Sequence, residues 1–274
     1  LILVAAWYLF NRYLGAPSEP IPIAVISFEN QTGDTTYNHL QEAIPNLLIT
    51  KLEELSYLRV STWERMRDLL KQIGKAGKTF IDGEMGFELA QRDSARALVT
   101  GAFVRAGNVF AIDVKIFDVT TRKLLRSASS RGEGAGSILL SQIDDLGSQI
   151  STGIGVPSSV VTAEDKPITE VTTSSIEAYN YFLRGRQDSE KLVLNEAIQF
   201  LRKAVELDST FAMAYYYLAR AFTAYADNRS AKQALGKAVK YAGRVSRKER
   251  LLIEEMHARM IEGDREKSYK ILVQ

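Results

Sequence analysis

Two kinds of hydrophobic spacing divide this chain. In the first half, Ile23-Ala24-Val25-Ile26-Ser27-Phe28 is a short apolar run ending in turn residues, which predicts a strand buried on both faces. Asn30 to Asp34 (NQTGD) supplies a turn. Leu40, Ile44, Leu47, Leu48, Leu52 and Leu55 then recur at helical spacing, with Pro45 marking either a start or a kink. Residues 58–62 read as a second strand, and 64–73 and 85–93 as helices. From Ala97 the period becomes two. Residues 97–105, a turn at Ala106-Gly107-Asn108, then 109–118 and 123–130 predict a three-stranded meander, with Phe110, Ile112, Val114 and Ile116 on one face. Ile138, Ile143, Leu146, Ile150 and Ile154 form the apolar stripe of a closing helix. The order β-α-β-α-α-β-β-β-α implies a mixed sheet covered by helices, mainly on one face.

Beyond residue 173 the pattern is helical and repeats itself. Tyr181, Ala197, Leu201 and Ala204 recur as Tyr215, Ala231, Leu235 and Ala238, each 34 positions on. Small residues at such positions let paired helices approach, while the tyrosines and leucines fill the gaps. This period resembles that of tetratricopeptide units, two antiparallel helices joined by a turn, which stack and leave a concave binding surface. Ser174 or Ser175 caps the first unit, with Glu177 favourably placed at its N-terminus. Asp208-Ser209-Thr210 closes it where that family usually carries Asp-Pro. A second unit follows from Ala212, a longer third leading helix spans 246–262, and Gly263-Asp264 turns into a last helix.

These patterns give the expected domain organisation. Residues 1–14 are the end of a transmembrane helix, 15–22 an exit linker, 23–156 an α/β mixed-sheet domain, 157–173 an extended linker with two prolines, and 174–274 an all-α tetratricopeptide domain whose last repeat is truncated. The first element rests on LILVAAWYLF, nearly unbroken hydrocarbon but shorter than the ~20 residues a bilayer requires, so its beginning is placed outside the chain. Trp7, Tyr8 and Tyr13 suit the headgroup level, with Arg12 just beyond. A signal-peptide core and a buried N-terminal helix are the rival readings.

Composition narrows the function classes. The chain has 274 residues, 46% hydrophobic and 25% charged, ordinary for globular protein. A net charge of +2 is too small to imply a nucleic-acid or membrane-surface partner. Zero cysteines remove disulfides, thiolate zinc sites and thiol nucleophiles, and two histidines make a His-rich metal site unexpected. Gly74-Lys75-Ala76-Gly77-Lys78-Thr79 ends like a phosphate-binding loop, but Gln72 stands where its first glycine is required. Gly132 to Gly136 lacks the dinucleotide spacing. Glu254 and His257 lack a second Glu-x-x-His pair for a di-metal site, and Asp113 and Asp118 fall on opposite strand faces. No active site and no cofactor is expected.

IAVISFENQTGD resembles the opening motif of the TolB-type amino-terminal domain, related to flagellar FlgO and curli CsgG-like envelope domains. GAFVRAGNVFAIDVKIFDVTTRKLL is similar to that family's hairpin. The chain departs from the pattern at Ser27, where proline is usual, and at Arg122, where glycine is usual. A transmembrane helix, a TolB-type domain and tetratricopeptide repeats together resemble the extracytoplasmic half of bacterial single-pass membrane kinases, cyclases or regulators. That resemblance implies an inner-membrane protein with a periplasmic, non-enzymatic interaction module that recruits a protein or peptide. A structural subunit of an envelope complex is the alternative.

In tetratricopeptide units the second, fifth and ninth positions of each leading helix face the concave surface. Carried onto this chain, they are Tyr179, Phe182 and Arg186 in the first unit and Met213, Tyr216 and Arg220 in the second. Arg247 and Arg250 extend the strip if a third unit starts at Ser246. Two guanidiniums beside aromatic surface could grip a carboxylate of a bound peptide. A solvated charged face over ordinary core aromatics is the rival reading.

Overall fold

The computed structural model describes residues 19–76, 78 and 80–273. The expected transmembrane segment at 1–14 lies outside the described residues, and among those described no helix is long and apolar enough to cross a membrane.

A five-stranded mixed sheet has the order β2-β1-β3-β4-β5. Strand β1 (Ile21–Asn30) pairs in parallel with β2 (Leu58–Ser61) and β3 (Ala97–Ala106), and β3, β4 (Val109–Asp118) and β5 (Leu124–Glu133) form the antiparallel meander. Helix α1 (Leu40–Glu53) runs through Pro45 without starting there. Next come α2 (Trp63–Gln72) and α3 (Gly83–Arg92), and after the meander α4 (Ile143–Gly153), entered through one π-helical turn at Ile138–Gln142.

The helices cover both sheet faces rather than mainly one. The side chains of β1 explain this, alternating from Ile23 to Ile26, with a register shift between Val25 and Phe28. Ile23, Val25 and Phe28 join Ile44, Leu47 and Leu48 of α1, together with Ile143 and Leu146 of α4. Ala24 and Ile26 instead join Met66 and Leu69 of α2 and Leu89 of α3 on the opposite face. A strand buried on both sides needs two apolar layers, and α2 and α3 supply the second.

The two positions at which the sequence departs from the pattern it resembles, Ser27 and Arg122, are accommodated locally. Ser27 is buried and its hydroxyl accepts the Ile81 N–H at 3.0 Å. Arg122 has φ +57°, so it holds the left-handed turn position that glycine fills most easily.

The segment expected to be an extended linker is folded and pinned. It contains α5 (Ser158–Glu164) and a 3₁₀ turn at Ile168–Glu170. Val161, Ile168 and Val171 are buried anchors whose irregular spacing hid them in the sequence. Lys51 of α1, its side chain 4% exposed, pairs with Asp144 at 2.8 Å and Asp165 at 2.5 Å and donates to the Lys166 carbonyl. Asp144 also accepts the Ile168 N–H, and Glu164 accepts both the amide and hydroxyl of Ser56.

Helical hairpins follow: α6 (Ile176–Glu190) with α7 (Leu194–Leu207), α8 (Ala212–Ala224) with α9 (Asn228–Lys240), then α10 (Arg247–His257) and α11 (Arg265–Leu272). Ala197, Leu201 and Ala204, and their counterparts Ala231, Leu235 and Ala238, are fully buried. Gly185 brings α6 onto α7 so closely that a Cβ there would lie 2.6 Å from Leu201 Cγ. Ser175, not Ser174, caps α6 by accepting the Ala178 N–H. Ser246 and Glu249 form a reciprocal capping box at α10. One apolar cluster continues from the sheet face under α1 into the hairpins.

Candidate functional site: the cleft between α1 and the helical hairpins

The faces of α6, α8 and α10 that point towards the sheet domain form an inner surface, and α1 lies across it. On α6, Tyr179, Phe182 and Arg186 follow at intervals of three and four, and on α8 Met213, Tyr216 and Arg220 do the same, so each set projects from one helical face. These six residues line a single cavity of about 320 Å³ together with Tyr217. Its other wall comes from the sheet domain: Asn46, Ile49 and Glu53 of α1, and Trp63 and Glu64 at the start of α2. A second cleft of about 550 Å³ shares Trp63, Glu64, Tyr217 and Arg220 and continues to Glu190 and Leu192 at the end of α6.

The wall is aromatic and tightly built. Phe182 lies 4.9 Å from Phe211 and meets Tyr217 edge-on at 5.6 Å, and Tyr216 meets Tyr217 edge-on at 5.4 Å. Such pairs contribute about 0.5–1.5 kcal/mol each beyond their buried area. Burial pushes the Tyr179 and Tyr217 phenols up, so both are neutral across the physiological range.

Arg186 is the centre of charge, and it is buried rather than open to solvent, at 8% exposure. Its Nη2 donates to Asn46 Oδ1 at 2.8 Å. The Glu42 and Glu64 carboxylates stand at 3.6 and 3.7 Å, close enough to compensate charge but too far for good hydrogen bonds. Its Nε has no hydrogen-bond partner among the described residues. Burial is the largest influence on Glu64 and opposes its charge, but Arg186, a backbone N–H, Arg67 and Lys248 together outweigh it and lower the Glu64 pKa.

At the far end of α1, Lys248 of α10 pairs with Glu53 at 2.9 Å. Burial raises the Glu53 pKa against the opposing pull of Lys248. The neighbouring Glu249 is pushed up to about 7 by burial, opposed by its bond from the Ser246 amide and reinforced by Glu53 and Glu54. A charged cluster therefore clamps α1 to the hairpins at each end.

Arg220 differs from Arg186. It is exposed, its guanidinium sits 5.1 Å from the Tyr217 ring and 5.9 Å from Tyr216, and among the described residues it has no carboxylate partner. Arg247 and Arg250 do not line the cavity. Both are exposed, and Arg250 Nε donates to the Ala242 carbonyl at 3.1 Å. Lys248, Glu249 and Leu252 of the same helix take the lining positions instead.

The sheet-domain wall was not visible in the repeat pattern. Trp63 reads as an ordinary helix-start residue, and Glu42 and Glu53 as solvated charge. Asn46, a polar residue inside the apolar run of α1, was the one available signal. The cavity brings together cations, carboxylates, amides and aromatic faces, which suits recognition of a ligand. Neither histidine lines it: His39 bonds the Thr36 carbonyl and His257 pairs with Glu262. Among the described residues no cluster of three or more His, Asp or Glu could hold a metal ion.

No protein-family profile matches the chain, and no curated protein matches it. Solved structures resemble it over about half its length. The Lipoprotein GNA1162 from Neisseria meningitidis is 18% identical, covering 49% of this chain and 96% of its own, with a TM-score of 0.37. The LpoB C-terminal domain from Salmonella enterica is 15% identical, covering 46% and 93%, with a TM-score of 0.35. TolB from Acinetobacter baumannii is 16% identical, covering 55% of this chain and 30% of its own, with a TM-score of 0.32.

Proposed function

We propose that this chain is a non-enzymatic interaction module that recruits a protein or peptide to a bacterial envelope membrane. The hairpins act as tetratricopeptide units, and the partner docks on their inner face, beside Tyr216, Tyr217 and Arg220. The apolar residues 1–14 serve as the membrane tether, with the described domains on the periplasmic side of the inner membrane.

One observation supports the docking site above all: Arg220 is an exposed guanidinium stacked against two tyrosines, without a carboxylate partner among the described residues, where the two clefts meet. Such a group is available to a partner's carboxylate or backbone carbonyl, with aromatic surface beside it to bury apolar side chains. The test is affinity capture from detergent-solubilised membranes with full-length protein and Arg220→Glu. The variant should lose at least about tenfold of the captured partner, the range expected for a charge-assisted contact, with unchanged thermal stability. Equal capture by both proteins would refute the docking site.

A further inference from the structure

Helix α1 presents a second stripe besides the one that packs on the sheet. Glu42, Asn46, Ile49 and Glu53 are spaced four, three and four apart, which puts them on one face of the helix. That face is the one turned to the hairpins. Asn46 bonds Arg186 of α6, Glu42 stands beside the same guanidinium, Ile49 lines the cavity with Met213 and Tyr216 of α8, and Glu53 pairs with Lys248 of α10. The eleven residue steps from Glu42 to Glu53 span about 16 Å of helix. Two successive helix–helix spacings, from α6 across α8 to α10, come to roughly 16–20 Å. The stripe therefore reaches from the first hairpin to the third leading helix with an anchor at each end and an aliphatic side chain between them.

We infer that the inner face of the hairpins is a helix-reading surface, and that α1 is its intramolecular ligand. The partner is then an amphipathic helix carrying carboxylate, amide, aliphatic and carboxylate side chains at positions i, i+4, i+7 and i+11, and it competes with α1. This rests on the reading of the inner face as the partner site and names what that site takes. Helix-in-groove recognition uses this anchor spacing. The charges are complementary, with the acidic ends of the stripe meeting Arg186 and Lys248. Because α1 is tethered, its effective concentration is high, and a free helix gains access only when the tethered one is loosened.

The test uses the full chain and a fluorescent peptide copying residues 38–55. The receptor is the wild type or Asn46→Ala/Glu53→Ala, which loosens α1 while leaving α6, α8 and α10 intact. Glu53→Lys, which opposes Lys248, serves as a second receptor if the double variant folds poorly. A control peptide carries alanine at the four stripe positions. The native peptide should bind the loosened receptors at least about tenfold more tightly than the wild type, as expected when a tethered competitor is weakened, and the control peptide should bind none. Equal affinity for all receptors, or equal binding of the two peptides, would overturn the inference. So would loosened variants that show no increase in hydrogen exchange over α1. These outcomes are separable from failure of the docking site, because Arg220→Glu capture is read on the natural partner and is independent of the peptide.

Discussion

The Arg186–Asn46 contact gives the sharpest energetic test of how the two domains are joined. Replacing Arg186 with methionine keeps an apolar side chain of similar length and removes the guanidinium, whose central carbon lies 5.7 Å from the Phe182 ring centre. The loss includes one charge-assisted hydrogen bond at 2.8 Å, worth about 1.5–3 kcal/mol. The two carboxylates at 3.6 and 3.7 Å are 28% and 46% exposed, so they rehydrate, and each contributes about 1 kcal/mol at most. Against this, the variant removes the buried Nε, which has no hydrogen-bond partner among the described residues, a relief of about 1 kcal/mol or more. The net expectation is destabilisation by about 1–3 kcal/mol, well below the cost of breaking a fully buried ion pair. The assay is chemical denaturation of the wild type, Arg186→Met, Asn46→Ala and the double variant. The double-mutant cycle should give a coupling of about 1–2 kcal/mol, because the pair shares one bond. A coupling below about 0.3 kcal/mol, the level of unlinked sites, would refute the claim that this bond joins α1 to α6.

Glu249 has a folded pKa of about 7 against an unfolded value of 4.5, so the folded state binds the extra proton between those values. Its contribution to stability is greatest below pH 4.5, falls as pH rises towards 7, and then levels off. The span is about 1–3 kcal/mol. Glu249→Gln, which keeps an acceptor for the Ser246 amide, should flatten that dependence and raise the melting temperature at about pH 8; an unchanged pH profile would contradict it. Gly185→Ala should destabilise by about 1–3 kcal/mol through the Leu201 clash, measured by thermal melting, whereas Gly236→Ala, with nothing among the described residues within 4 Å of its Cβ, should be neutral or slightly stabilising. Lys51→Met should speed hydrogen exchange across 157–170 by breaking the contacts to Asp165 and the Lys166 carbonyl. Unchanged exchange there would show that the segment is held by its apolar anchors alone.

Local order was legible where one face of an element faces one environment. The meander, with Phe110, Ile112, Val114 and Ile116 alternating against polar neighbours, and the 34-residue recurrence of Ala197, Leu201 and Ala204 both belong to that kind, and the structure has strands and helical hairpins at these places. Elements that face two environments were harder to read. β1 reads as an apolar run, which predicts burial on both faces but not which helices supply each layer, so the division of Ile23 and Ala24 between α1 with α4 and α2 with α3 had no sequence signature. α1 is similar: Asn46 inside its apolar run is the one hint that the stripe Glu42–Asn46–Ile49–Glu53 meets a second domain. The pinning of the linker by Lys51 depends on residues more than ninety positions apart, beyond the reach of any periodicity. In the candidate site, helical spacing alone put Tyr179, Phe182 and Arg186 on one face. What that face meets depended on tertiary packing, which is why Trp63 and Lys248 could not be anticipated and why Arg247 and Arg250 turned outward.

The central claim is that α1 closes the inner face of the hairpins, so that sheet domain and hairpins move as one body. The chain has no native cysteine, so two introduced ones can be labelled without background. Spin labels at Lys71 on α2 and Lys237 on α9, both exposed, report the separation of the two domains by pulsed electron paramagnetic resonance. A single narrow distance distribution that broadens in Asn46→Ala/Glu53→Ala is the predicted result. A distribution already broad in the otherwise unaltered chain would contradict it.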